Sequence, residues 1–407
     1  MRDVAVVGIG MIKFDRHPEK GIKDLVRESV EKALKDADIH PQKLEAAYVG
    51  TAAPGIMTGQ EQIKAQVTLS AMGIDTIPMY NIENACASSS SAFNLAWTAV
   101  GAGVYDCALV VGFEKLYDKD KMKSFMALGT AVDIEMAMTH LENFQKKQGN
   151  TESIISGESG KSKSIFMDMY AYYTKMYMER CGLTQEHCAK VCVKSHKNGA
   201  HNPHAQYQKE VTLDEVLNSG DVSFPLTRMM CSPICDGAAA AIICSREKAA
   251  QFTSKPIWVQ GSVVGSGRIT DDLSDTLTKR LGPKVFETAG VGPEEIDVIE
   301  VHDATTPSEI ITLIELGICP PDEAAQWIDE GYLEIDGKNP SNTSGGLASK
   351  GHPIGATGMG QIYEIVQQLR GESGKRQVMN PKIGMTHNGG GILGIDAAAM
   401  ALHIFKR

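Results

Sequence analysis

Short apolar runs that end near glycine alternate with amphipathic segments along much of the chain. Residues 4–10 and 106–113 are typical of strands that are buried on both faces. Residues 22–34 carry apolar side chains at helical spacing with charges between them, which predicts a helix with one buried face. Further strands are predicted over residues 45–50 and about residues 78–82. This alternation predicts a layered α/β fold with a parallel or mixed sheet.

The second half of the chain repeats this order. A new apolar run begins at Ile257, and residues 382–396 end on a glycine-rich strand that resembles residues 106–113. Residues 345–360 form a glycine-rich helix start in the position that the segment around Cys86 occupies in the first half. Such a duplication predicts two buried helices that face each other and share one pocket.

Residues 115–228 interrupt the duplicated pattern. Residues 115–165 are rich in Lys, Met, Ser and Gly and show no strand pattern, and helices are predicted after them at about 166–178 and 185–198. This predicts a loop or lid insertion over the core. The predicted domains are an N-terminal half (1–114 and 229–254), the insertion (115–228) and a C-terminal half (255–407).

Composition narrows the functional classes. The 407 residues carry a net charge of −10 and have no basic stripe with interleaved aromatics, so nucleic-acid binding is not expected. No apolar segment approaches the ~20 residues that cross a bilayer, and the N-terminus lacks a signal-peptide pattern. Nine cysteines fit reduced thiols, and the pairs Cys188/Cys192 and Cys231/Cys235 lack the spacing of a zinc site. We expect a cytoplasmic protein without a bound metal.

Cys86 stands at the head of a run of small residues that passes into an apolar helix, which we expect to begin at Asn84 or Ala85. A cysteine at a helix N-terminus faces unpaired N–H groups and the positive end of the helix dipole, which favour its thiolate. The same amides could hold an oxyanion. Taken alone, Cys86 also fits a small, unreactive core residue.

Three histidines lie at predicted junctions beside glycine or other small residues. His352 heads the second buried helix, His302 closes a predicted strand, and His387 precedes Asn388-Gly-Gly-Gly391. One histidine at such a junction is usually structural. Three of them, together with a helix-start cysteine in a duplicated fold, favour an active site.

Four segments resemble the thiolase superfamily, and within it the sterol-carrier-protein-type and archaeal-type branch. The segments are residues 81–92, 302–304, 342–358 and 387–391, of which Gly351-His-Pro-Ile-Gly-Ala-Thr-Gly358 is the most specific. The resemblance covers essentially the whole chain. It implies the duplicated five-layered αβαβα thiolase fold with an inserted loop domain.

The resemblance also implies how the site works. Cys86 would take the acyl group from a coenzyme A thioester, and His352 would accept the thiol proton. His352, with a water held by His302, would stabilise the thioester oxygen of the nucleophilic substrate. The backbone amides of Cys86 and Gly389 would form a second oxyanion hole.

The chain departs from the family in its second cysteine. Many thiolases use a Cys-x-Gly near the C-terminus for acid/base chemistry at the α-carbon, but this chain has His387-Asn-Gly389 there. The sterol-carrier-protein type has a cysteine in His-Asp-Cys-Phe, where this chain has Ala304. Either His387 replaces the missing thiol, or a water or substrate group does.

Substrates and partners follow from the same resemblance. Coenzyme A would be a co-substrate, with no permanently bound cofactor, and would contact Asn342, Ser344 and Gly345. A homodimer is implied, together with a small partner subunit that carries a zinc ribbon and an OB-like domain.

The predicted reaction is cleavage of a 3-oxoacyl-CoA through an acyl-enzyme on Cys86. A candidate substrate is 2-benzoylsuccinyl-CoA, which yields benzoyl-CoA and succinyl-CoA in anaerobic aromatic degradation. The tyrosine-rich insertion fits an aromatic acyl pocket as well as it fits simple packing; its tyrosines are Tyr170, Tyr172, Tyr173 and Tyr177. The alternatives are acetoacetyl-CoA formation in a complex with hydroxymethylglutaryl-CoA synthase, a steroid side-chain aldolase or lyase, and a non-catalytic lipid-binding scaffold.

Overall fold

The computed structural model describes residues 1–135, 165–252, 255–270, 272 and 274–407, so the predicted insertion lies partly outside the described residues. The strands are β1 (Val4–Met11), β2 (Ala46–Gly50), β3 (Met79–Ile82), β4 (Cys107–Glu114), β5 (Asp221–Ser223), β6 (Leu226–Thr227), β7 (Gly237–Ser245), β8 (Ile257–Ser266), β9 (Val298–Glu300), β10 (Ile383–Leu393) and β11 (Asp396–Lys406).

The α-helices within the same ranges are α1 (Ile22–Ala37), α2 (Pro54–Thr58), α3 (Lys64–Leu69), α4 (Ser88–Gly101), α5 (Lys121–Gly129), α6 (Ile165–Cys181), α7 (Gln185–Ala200), α8 (Leu213–Leu217), α9 (Arg246–Ala249), α10 (Leu277–Ala289), α11 (Pro307–Glu315), α12 (Ala324–Asp329), α13 (Gly346–Lys350) and α14 (Thr357–Arg370). None of these described helices is long and apolar enough to cross a membrane.

Nine of the strands form one mixed sheet in the order β3-β2-β4-β7-β1-β8-β11-β10-β9. The first five belong to the N-terminal half and the last four to the C-terminal half. The antiparallel pairing of β1 with β8 joins the two halves. Within each half a parallel pair, β2 with β4 and β9 with β10, continues into antiparallel strands. The predicted α/β class and the repeated order of elements are confirmed.

The central helices α4 and α14 lie together between the two halves of the sheet, and each contacts strands from both halves. Alternate residues of β1 show how the layers are built. Val4 and Val6 face the cluster that contains α4 and α14, whereas Ala5 and Val7 face the cluster that contains α1. Helix α10 packs on β8 and β11 of the other half. The order helix, sheet, helix pair, sheet, helix gives the five layers of the predicted fold.

Small residues let the central helices approach closely. A Cβ atom on Gly358 of α14 would lie 2.0 Å from Ser90 Oγ of α4. On the strand side of α4, a Cβ atom on Gly50 of β2 would lie 2.5 Å from the Cα atom of Ser89. The Met359 amide donates to Ser89 Oγ at 3.1 Å, so the serines also bond across the contact. The small-residue run after Cys86 therefore brings two helix starts together.

One central strand was not predicted from the sequence. The glycine-rich strand expected over residues 382–396 is β10, which ends at Leu393, and the chain then turns back into β11. β11 pairs with β10 on one side and with β8 on the other. Its first half is mostly alanine, which has low strand propensity, so its strand conformation depends on the two neighbouring strands.

Gly358→Ala should destabilise the protein by about 2 kcal/mol, because the new methyl group must displace Ser90 or separate the two helices. Thermal unfolding would measure the loss as a lower midpoint. Gly129→Ala is the matched control, because a Cβ atom there has no neighbour within 4 Å and the residue is the last of helix α5. Equal midpoints for Gly358→Ala and the wild type would show that the contact between the two helices has room for a methyl group.

Candidate active site

One cavity of about 1440 Å³ opens at the starts of α4 and α14. Cys86, His302, His352 and His387 all line it, as do the consecutive glycines at 389–391. These residues come from four separate segments of the chain, and the duplicated fold brings them to one place. The predicted grouping of a cysteine with three histidines is therefore present in the structure.

Cys86 lies in a 3₁₀ turn at Ala85–Ala87 that leads directly into α4, and it is half-buried. The helix therefore begins where the sequence predicts. The Cys86 sulfur and one ring nitrogen each of His302 and His352 lie within 4.8 Å of one another. The backbone N–H groups of Cys86 and Gly391 point at the sulfur. The nucleophile, a base and amide donors thus meet at one point.

The Cys86 thiol is protonated in the resting protein. Burial, together with the nearby Glu114 carboxyl group, raises the pKa of Cys86 to about 12. The two backbone amides lower this pKa but do not offset the loss of hydration. The helix start therefore acts on the thiol in the expected direction, but burial outweighs it. Cys86 needs a base in order to act as a nucleophile.

His352 is placed to be that base. Its Nδ1 lies 2.6 Å from Thr357 Oγ1, and the Thr357 hydroxyl donates to the Pro353 carbonyl at 3.1 Å. Because that hydroxyl proton is already used, Thr357 accepts the Nδ1–H of His352. Nε2 of His352 keeps its lone pair, so it can accept the thiol proton of Cys86.

His302 has the opposite tautomer. Asn388 Nδ2 lies 3.1 Å from His302 Nδ1, and Asn388 Oδ1 accepts from Ser90 Oγ at 3.0 Å. An Nδ1 atom that accepts a hydrogen bond leaves the ring proton on Nε2, so His302 offers an N–H donor. The His302 and His352 rings meet edge to face, with centroids 5.1 Å apart. A base and a donor thus stand side by side next to Cys86.

His387 lines the same cavity, but both of its ring nitrogens are hydrogen-bonded to the protein. The backbone N–H of His302 donates to His387 Nδ1 at 3.4 Å, and Nε2 lies 3.2 Å from Thr278 Oγ1. Acid/base work by His387 at the α-carbon stays a prediction. Such a role requires Nε2 to exchange Thr278 for the substrate.

All three histidines are neutral at neutral pH. Burial lowers the pKa of His302 to about 4, and burial together with His302 lowers the pKa of His387 to about 3. The pKa of His352 falls well below its usual value because of burial and the proximity of His302 and Lys350. The resting pair of Cys86 and His352 is therefore neutral, and the thiol proton must move as the sulfur attacks.

Cys86, His302 and His352 also hold three donor atoms close enough to suggest a metal site. Zinc takes a thiolate sulfur and an unprotonated imidazole nitrogen. Such an ion would displace the thiol proton of Cys86 and the imidazole proton that His302 carries on Nε2. A site without a bound metal stays a prediction.

The predicted coenzyme A contacts Asn342, Ser344 and Gly345 do not line the cavity, because all three are buried beside it. Asn342 Oδ1 accepts the backbone N–H of the residue that follows β9, at 2.8 Å. Ser344 Oγ donates to Glu300 at 2.5 Å. These bonds fix the end of the strand that leads to His302. The structure therefore gives these residues a supporting position and does not bring them to the cavity.

Sequence reasoning gave no role to Glu114, Thr357 or Asn388, which set the electrostatics of the site. Glu114 ends β4 and accepts three backbone N–H groups, drawn from both halves of the chain, at 2.9 to 3.1 Å. Burial raises its pKa to about 7. Thr357 and Asn388 lie inside the segments that carry the thiolase resemblance. Their place in those segments was the one feature of the sequence that pointed to them. Their partners became visible only in the folded chain.

Alkylation of Cys86 by iodoacetamide should keep accelerating as the pH rises to about 10. A folded-state pKa of about 12 leaves little thiolate anywhere below that pH, whereas an ordinary cysteine titrates near 8.5. Timed intact-mass measurements would give the rate, with Cys86→Ser as the background control. A rate that levels off between pH 6 and 8 would contradict the neutral pair and indicate a resting thiolate.

Comparison with known proteins identifies the family. The chain matches the description "Thiolase, N-terminal domain" over residues 4–223 and "Thiolase C-terminal domain-like" over residues 266–403. An acetyl-CoA acetyltransferase of Methanothermobacter thermautotrophicus is 37% identical over 412 residues and covers 100% of both chains. Sterol carrier protein 2 of Bos taurus is 35% identical over 98% of this chain and 71% of its own length.

Two further matches bear on fold and function. The benzoylsuccinyl-CoA thiolase subunit BbsB of Thauera aromatica is 34% identical over 96% of this chain and 95% of its own. The solved structure of the Ltp2-ChsH2(DUF35) aldolase superposes with a TM-score of 0.77 at 23% identity, over 98% of this chain and 97% of that one. The resemblance predicted from the sequence is confirmed. The chain belongs to the thiolase family and is an acyltransferase that uses coenzyme A as a substrate.

Proposed function

We propose that this protein cleaves a 3-oxoacyl-CoA with free coenzyme A, through an acyl-enzyme on Cys86. One observation carries the proposal: the neutral Cys86–His352 pair lies beside the N–H donor of His302. A nucleophile, its base and an electrophilic donor are the groups that a covalent acyl transfer requires. The steroid-lyase and scaffold alternatives have no need of such a pair.

In the first half-reaction the Cys86 sulfur attacks the 3-oxo carbon while His352 Nε2 takes its proton. The bond between C2 and C3 then breaks, the acyl group stays on Cys86, and the electron pair passes into the enolate of the departing thioester. Protonated His352 and a water held by His302 stabilise that enolate oxygen. In the second half-reaction the coenzyme A thiol attacks the acyl-enzyme and releases Cys86.

The tetrahedral oxygen on the acyl side needs its own donors. The amides of Cys86 and Gly389 serve in this proposal, and one such donor is typically worth about 3 kcal/mol of transition-state stabilisation. Gly389 lines the cavity together with Gly391, whose N–H points at the sulfur. The departing enolate carbon takes its proton from His387, or from a water or substrate group.

The cavity favours a bulky acyl group. At about 1440 Å³ it exceeds the space that a two-carbon acyl group and a pantetheine arm need, and aromatic residues of α6 line it. This volume supports a large acyl group. 2-Benzoylsuccinyl-CoA is one candidate substrate of that kind, because the relative BbsB carries benzoylsuccinyl-CoA in its name. Acetoacetyl-CoA is the second candidate, because the Methanothermobacter relative is named an acetyl-CoA acetyltransferase.

Exposed cations line the same cavity and support coenzyme A binding there. Lys209 and Arg228 stand at its wall and offer charge to the phosphates of the nucleotide. The homodimer and the small zinc-ribbon partner stay predictions. The Ltp2-ChsH2(DUF35) aldolase carries two components in its name, and its likeness to this chain is one of fold.

When the protein is mixed with candidate acyl-CoA and 3-oxoacyl-CoA thioesters, one acyl group should remain on Cys86. Intact-mass spectrometry would detect this adduct, and the added mass would identify the acyl group. Cys86→Ala should carry no adduct. Cys231→Ala is the matched control, because Cys231 also lines the cavity and its loss should leave the adduct in place. Carbon–carbon cleavage without any adduct would replace the thiolase proposal with a lyase.

His387→Ala should slow the carbon–carbon step at least about 100-fold and leave acyl transfer from a simple acyl-CoA to Cys86 within a few-fold. The reason is that only the first process moves a proton at the α-carbon. Single-turnover cleavage and adduct formation, measured on the same preparation, separate the two. An unchanged cleavage rate would assign the proton to water or to the substrate.

A further inference from the structure

A carboxylate in the cavity wall has one oxygen without a partner. Glu315 is the last residue of α11, is 9% exposed and lines the cavity. Tyr173 and Tyr177 of α6 donate their hydroxyls to Glu315 Oε1 at 2.5 and 2.9 Å, and Lys279 Nζ lies 4.0 Å from the same atom. Oε2 has no hydrogen bond to any residue that the structure describes.

The other buried carboxylate in the wall differs in this respect. Asp396 Oδ1 accepts the backbone N–H groups of Leu277 and Ala397 at 2.8 and 3.1 Å, and its Oδ2 binds Arg280 at 2.5 Å. Both of its oxygens are therefore occupied by the protein. Of these two carboxylates, only Glu315 keeps an oxygen without a protein partner among the described residues. Because Glu315 lines the cavity, its Oε2 is open to a ligand there.

The free oxygen lies along the path of the acyl group. Tyr170 lines the cavity together with Cys86 and Glu315, and burial and the nearby Cys86 raise the pKa of its hydroxyl. Tyr173 follows three residues later on the same face of α6, about 5 Å further along the helix axis. An acyl chain that leaves Cys86 along α6 therefore passes Tyr170 before it reaches the carboxylate that Tyr173 holds.

We propose that Glu315 determines which acyl groups this enzyme accepts, favouring chains that carry a hydroxyl and rejecting chains that end in a carboxylate. The hydroxyl would donate to Oε2, while a substrate carboxylate would meet the like charge of Glu315. Tyr173 and Tyr177 hold the Glu315 carboxylate in place by engaging Oε1. This inference rests on the proposed thiolase reaction and concerns its substrate.

The proposal ranks the candidate substrates. A benzoyl group has no hydrogen-bond donor and would leave Oε2 unpaired, so a hydroxylated acyl group of similar size fits this wall better. An acetyl group ends in a methyl and offers Glu315 neither a hydroxyl nor a carboxylate. Acetoacetyl-CoA therefore reports on the reaction without engaging the specificity residue.

The test compares kcat/KM for medium-length straight-chain 3-oxoacyl-CoA thioesters that differ only at their end, as methyl, hydroxyl or carboxylate. The wild-type protein should prefer the hydroxyl over the methyl about 10-fold and over the carboxylate at least about 100-fold. In Glu315→Gln, kcat/KM for the carboxylate substrate should rise at least about 10-fold, because the amide removes the charge and can donate a hydrogen bond. Acetoacetyl-CoA cleavage should stay within about 2-fold.

Two further variants keep the test decisive. Tyr173→Phe removes one donor but keeps the Glu315 charge, so rejection of the carboxylate chain should persist. Tyr172→Phe changes a tyrosine of the same helix that lines the cavity and makes no hydrogen bond to Glu315, and it should show wild-type selectivity.

The outcomes separate the two proposals. The same substrate ranking in Glu315→Gln and the wild type, with intact acetoacetyl-CoA cleavage, would overturn the role of Glu315 and leave the thiolase reaction standing. Failure of the wild-type protein to cleave any of these thioesters with coenzyme A would overturn the proposed reaction itself.

Discussion

The close contact between α4 and α14 is the constraint on which the site depends. Gly358 meets Ser90 with no room for a methyl group, and Gly390 packs so closely that a Cβ atom would lie 2.2 Å from the Asn84 carbonyl oxygen. These contacts bring the two helix starts, one from each half of the duplicated chain, to a common point. Cys86 and His352 can share a proton only because no larger side chains stand between the helices.

Hydrogen bonds behind the rings then give two similar histidines different tasks. Thr357 accepts a hydrogen bond from Nδ1–H of His352, so Nε2 of that ring is a base. Asn388 donates a hydrogen bond to Nδ1 of His302, so Nε2 of that ring carries the proton and is a donor. Burial keeps both rings neutral, so neither is trapped as a cation before the substrate arrives. In the proposed reaction, the protonated thiol beside a neutral base loses its proton as the sulfur attacks the 3-oxo carbon. The thiolate of Cys86 then forms only when a substrate is bound.

Helices α6 and α11 form one wall of the cavity. Tyr170, Tyr172 and Tyr173 of α6 line it, and Glu315 of α11 accepts hydrogen bonds from Tyr173 and Tyr177. Cys86 and the three histidines lie outside these two helices. The proposed reaction and the proposed specificity therefore assign the chemistry and the choice of substrate to different elements.

The sequence by itself determined the layered α/β fold and the duplication. It also predicted the grouping of Cys86, His302, His352 and His387, because small-residue helix starts and glycine-flanked histidines are local patterns. It did not predict β11, whose alanines take up strand conformation only between two neighbours. It predicted that Asn342, Ser344 and Gly345 contact coenzyme A, and this stays a prediction. In the folded chain the three residues are buried outside the cavity lining, and Asn342 and Ser344 bond to the end of β9. The protonation of Cys86 and the tautomers of the histidines depend on burial and on partners such as Glu114, Thr357 and Asn388. Only the tertiary structure decided these, because desolvation and hydrogen bonding between distant segments leave no local pattern.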